Sequence, residues 1–121
     1  MAFLQIITLE SGYQYILDQI LLRFKNMKYK ERGNGSWKLV HRNPKSDEKN
    51  ISPYILFDAP GFKDIGFLQL RAQPGYLKVF FIPKYERMKI SRMARFYLFS
   101  EFVNYLNINH KDLIKQIQFD C

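Results

Sequence analysis

A chain of 121 residues is the size of one domain, and its 47% hydrophobic and 17% aromatic content excludes a disordered polyelectrolyte. The single cysteine, Cys121, excludes an intrachain disulfide and a cluster of thiolate metal ligands. Nineteen Lys and Arg against eleven Asp and Glu leave a net charge of +8, a balance that attracts polyanions.

The excess is localised. Residues 23–49 hold nine basic and three acidic side chains, and residues 84–95 hold five and one. Everything else sums to −2.

In chain order, residues 2–9 are apolar and suit either a short strand or the lead-in to a helix. Tyr13, Ile16, Leu17, Ile20, Leu21 and Phe24 recur with a 3.6-residue period, which predicts a helix over 10–26 capped by Thr8 or Ser11. Gly33-Asn34-Gly35-Ser36 then supplies a hairpin turn between strands at 28–32 and 37–42. Residues 43–52 carry loop signals throughout. Strands follow at 54–58, 65–72 and 76–83, the last two joined across Gln73-Pro74-Gly75. Ser91 caps a predicted helix to about residue 106 that is apolar on more than one face. Asn109 and Asp112 resemble a capping box for a terminal helix over 110–118, packed through Leu113, Ile114 and Ile117.

The expected fold is a single α+β domain over 1–121. It has an N-terminal helix, an antiparallel meander of about five strands, and two C-terminal helices on one face of the sheet. The N-terminus lacks the basic and small-residue features of a secretory signal, and no apolar run reaches membrane-spanning length. A cytoplasmic protein with no membrane association is the expectation.

The charge pattern points to a small basic nucleic-acid-binding protein, non-enzymatic, for DNA or RNA. Lys28, Lys30 and Arg32 alternate along one strand, with Lys38 and Arg42 on the next. Lys84, Arg87, Lys89, Arg92 and Arg95 form a second cluster, Arg92 and Arg95 lying near a helix N-terminus. Trp37, with Tyr29 and Tyr85 nearby, is the expected stacking platform for bases. The alternative is a protein-interaction module, an inhibitor or assembly subunit or a homodimer, that uses the aromatic C-terminal helix and the basic face.

Other readings are weaker. His110, Lys111, Lys115, Gln116 and Gln118 on a second helix of a helix-turn-helix would reach base edges, but the linker lacks the usual glycine. Asp58 followed by Gln69 and Arg71 only superficially suggests a metal-dependent nuclease, because Gln is a poor metal ligand and Arg cannot act as a base. His41 and His110 have no neighbouring His or Cys. No catalytic residue, metal or cofactor is expected.

Overall fold

Alternation of buried and part-exposed side chains builds the sheet. In β1 (Phe3–Thr8) Leu4, Ile6 and Thr8 are buried, and Phe3, Gln5 and Ile7 turn the other way. The same period of two governs β4 (Tyr54–Asp58), β5 (Gly66–Gln73) and β6 (Tyr76–Pro83), which bury Ile55 and Phe57, Leu68 and Leu70, and Leu77, Val79 and Phe81. The computed structural model describes residues 2–24, 29–31, 35–40, 53–85 and 89–120. Its remaining elements are α1 (Gly12–Phe24), β2 (Tyr29–Glu31), β3 (Gly35–Val40), α2 (Arg92–Asn109), a 3₁₀ turn (Lys111–Leu113) and β7 (Ile114–Asp120).

The protein is α+β, and all strand pairs are antiparallel. The seven strands run β2-β3-β4-β5-β6-β1-β7. The meander therefore covers β2 to β6, and the two chain ends extend the sheet beyond it. Gln73 pairs with Tyr76 across Pro74-Gly75, and Gly75 has φ +90°, which suits the second central position of a type II turn.

Both helices cover one face. Ile16, Leu17, Ile20 and Phe24 of α1 and Leu98, Phe99, Phe102, Tyr105 and Leu106 of α2 are buried in one apolar cluster with the inward side chains of the strands. Ser91 caps α2, its hydroxyl accepting from the Ala94 N–H at 3.1 Å.

Of the two alternatives for residues 2–9 the strand is the one formed, as β1 over Phe3–Thr8, so the N-terminal helix is preceded by a strand. One expectation needs correction. There is no second C-terminal helix: the chain makes one 3₁₀ turn after α2 and enters β7, pairing with β1 from Phe3↔Asp120 to Thr8↔Ile114. Asn109 ends α2 rather than capping another helix, and its side chain donates to the Tyr105 carbonyl at 3.0 Å. The helix-turn-helix reading falls with it.

Candidate nucleic-acid interface

The two faces of the sheet differ in kind. One is closed by α1 and α2. Among the described residues the other bears no helix, and alternation with the strand register places on it Phe3, Gln5 and Ile7 of β1, Lys38 and Val40 of β3, and Tyr54 and Leu56 of β4. β5 adds Phe67, Gln69 and Arg71, and β6 adds Tyr76, Lys78, Phe80 and Ile82. Arg71 is exposed and the others are part-exposed. This is an apolar and aromatic surface carrying amides and cations, together with Asp58 of β4 beside Lys38 and, by register with Phe3, Asp120 of β7.

Arg71 and Lys78 lie directly opposite each other in the β5–β6 ladder. Like charges in that position are destabilising by a few tenths to about 1 kcal/mol. No carboxylate of the described residues pairs with either cation. Instead they lean on rings. The Lys78 ammonium is 4.3 Å from the Phe3 centroid and 5.4 Å from that of Phe80, and the Arg71 guanidinium is 5.3 Å from the Phe80 centroid. The two rings are 6.3 Å apart. A cation over an aromatic face recovers part of the repulsion but leaves the positive charge uncancelled.

Charge counting along the chain misses this pair, because the uncharged stretch between Arg71 and Lys78 dilutes it. The signal was available in the turn: two residues at Pro74-Gly75 pair 73 with 76 and hence 71 with 78.

The cations expected from sequence fare differently. Lys38 Nζ sits 3.5 Å from Asp58 Oδ2, and Lys84 Nζ sits 3.6 Å from Asp64 Oδ1, so each has a carboxylate partner. Lys89 and Arg92 are exposed. Arg95 is part-buried and donates to the Ile90 carbonyl at 2.7 Å, which ties it to the start of its own helix. Lys30 occupies the ladder position opposite Ser36. Lys28, Arg32, Arg42 and Arg87 lie outside the described residues, as does His41.

The pairing of Ser36 with Asp58 and of Gly66 with Pro83 puts the start of β3 and the end of β6 at one end of the sheet. Arg71 and Lys78 are nearer the other end, by the Pro74-Gly75 turn.

Trp37 is a correction. It is fully buried, within 6.1 Å of Phe24, 4.8 Å of Phe57 and 5.6 Å of Phe102 between ring centroids. It joins both helices to the sheet and offers no face to a base. Tyr85 is 64% exposed, with the Lys84 ammonium 5.7 Å from its ring. Asp58 faces Ser36 while Gln69 faces Tyr54, so the acid and the amide of the nuclease reading do not stand side by side.

Sequence reasoning also missed the interior polar site at the end of α2. His110 is 3% exposed, and its Nε2 shares a 3.1 Å hydrogen bond with the Tyr105 hydroxyl. Its Nδ1 has no hydrogen-bond partner among the described residues. Burial, followed by the nearby Arg23 charge, lowers its pKa from 6.5 to about 4, so the ring is neutral at pH 7. Among the described residues no group of three His, Cys, Asp or Glu is placed to hold a metal ion, and no helix is long and apolar enough to cross a membrane.

No protein family, curated protein sequence or solved structure matches this chain.

Proposed function

We propose that the protein binds nucleic acid without acting on it, and that the polyanion docks on the helix-free face of the sheet. The observation that carries this reading is the Arg71–Lys78 pair, two cations in direct register with no carboxylate of the described residues between them. A phosphate between them would replace a repulsive contact with two charge-assisted hydrogen bonds. The net charge of +8 steers polyanions toward the molecule, and the exposed Lys89 and Arg92 add to that general field. Lys38 and Lys84, each held by a carboxylate, contribute less than their sequence clustering implied.

Fluorescence anisotropy with a labelled oligonucleotide tests the reading. Replacing both cations (Arg71→Ala with Lys78→Ala) is expected to weaken binding at least tenfold. The salt slope of log K should also become shallower, by about 0.7 for each phosphate of a single strand that the variant no longer neutralises. Lys63→Ala with Lys111→Ala, the same charge change at exposed positions elsewhere, should cost far less. Equal weakening by the two double variants would mean that net charge alone drives association, and the proposed location would be wrong.

A further inference from the structure

The cations on the helix-free face do not stand alone; they sit among aromatic rings, and this fixes the form of nucleic acid the surface suits. We infer that the face takes unpaired bases, so that the ligand is single-stranded DNA or RNA with bases stacked on Phe3 and Phe80 and phosphates at Arg71 and Lys78. The inference rests on the reading given under Proposed function and specifies its ligand.

Three observations carry it. First, the cations and the rings are in contact. The Lys78 ammonium lies 4.3 Å from the Phe3 centroid and the Arg71 guanidinium 5.3 Å from that of Phe80, so each of these part-exposed rings has a cation against it. A base stacked on either ring would take the place of the cation that now leans on it and free that charge for a phosphate. Second, the surface is sheet rather than ridge. The described part of the face presents strands, and a strand face of this breadth does not enter the major groove of a duplex as a lone helix or ribbon does. Third, the rings are set among donors and acceptors. Gln5 lies between Phe3 and Ile7 on β1 and opposite Lys78, and Gln69 lies opposite Phe80. Amides beside stacking rings can meet the polar edges of splayed bases, which a duplex keeps paired. Along β6, Tyr76, Lys78, Phe80 and Ile82 give an alternating track of about 20 Å at roughly 3.3 Å per residue, ending toward Lys84 and the exposed Tyr85.

Binding of a single-stranded 12-mer, in DNA and RNA forms, is compared with the duplex of the same length at one salt concentration. The proteins are wild type, Phe3→Leu with Phe80→Leu, and Arg71→Ala with Lys78→Ala. Leucine keeps the apolar bulk and removes the π face, and circular dichroism checks that the fold is retained. A Phe80→Trp variant supplies a second readout, since a stacked base quenches indole emission.

The expected result is at least tenfold preference for the single strand. The Leu variant should lose about tenfold in single-strand affinity and change little toward the duplex, and the emission of the Phe80→Trp variant should fall on binding. Duplex and single strand bound alike, with the Leu variant unimpaired and the Ala variant weakened, would overturn this inference and leave the polyanion site standing. Binding indifferent to Arg71 and Lys78 would overturn both. So would a chain that binds no oligonucleotide and sediments at twice its 14.6 kDa mass, since the apolar face would then be covered by a second copy.

Discussion

His110 shows how position alone sets the charge of a side chain. In an unfolded chain its imidazole titrates near 6.5; in the folded protein burial, and then Arg23, hold that value at about 4. The unfolded state therefore binds more protons between those two values, and stability must fall as pH drops through that window. The lowering corresponds to about 3 kcal/mol at most, all of it present above pH 6.5 and lost by pH 4. Denaturant melts at about pH 7, 5.5 and 4.5 should show this decline, and His110→Gln should flatten it. A His110→Gln protein with an unchanged pH slope would assign the acid sensitivity to other groups. Trp37 marks the opposite limit of residue-level reading. Its neighbours are cations, which suggested an exposed stacker, but alternation puts Trp37 with Leu39 and opposite Lys38, toward the core. The apolar partner at i+2 was the better guide.

Among the elements, those with a strong local signal were legible. The helix at 12–24 follows its apolar period, α2 starts at the serine that caps it, and the hairpin of β5 and β6 turns at Pro-Gly. β7 was not, because Asn109-His110-Lys111-Asp112 imitates a capping box, and Leu113, Ile114 and Ile117 suit a short helix as well as a strand. What decides is remote: β1 offers a free edge, and pairing along its whole length outweighs a weak local preference. Similarly, the place of β1 between β6 and β7 joins the two ends of the chain, a contact that no local pattern encodes. One glycine within β5 is constrained by close approach rather than by its φ. A Cβ on Gly66 would stand 2.3 Å from the Ile82 carbonyl oxygen and 3.0 Å from the Phe81 ring, so β6 would have to move. Gly66→Ala is expected to cost about 1–3 kcal/mol in chemical denaturation. An unchanged midpoint would show that the hairpin yields at that point without penalty.

For the whole molecule, the decisive property is asymmetry. One face of the sheet is sealed by aromatic packing that runs from Phe24 through Trp37 to Phe102 and Tyr105. The other carries the part-exposed rings of Phe3 and Phe80 and the Arg71–Lys78 pair, which no carboxylate of the described residues partners. The sequence disclosed the total charge but not its partition, because ion pairs such as Lys38 with Asp58 form between strands and the Arg71–Lys78 pair forms across a turn. Association should be strongly salt-dependent, since phosphate neutralisation releases counterions, and should weaken steeply between about 50 and 200 mM salt. The most direct measurement is an amide-resolved NMR titration with a single-stranded oligonucleotide at low salt. The account predicts that the largest shifts fall on β1, β5 and β6, centred on Phe3, Arg71, Lys78 and Phe80, and shrink as salt is raised. Shifts confined to α1 and α2, with those three strands silent, would contradict it.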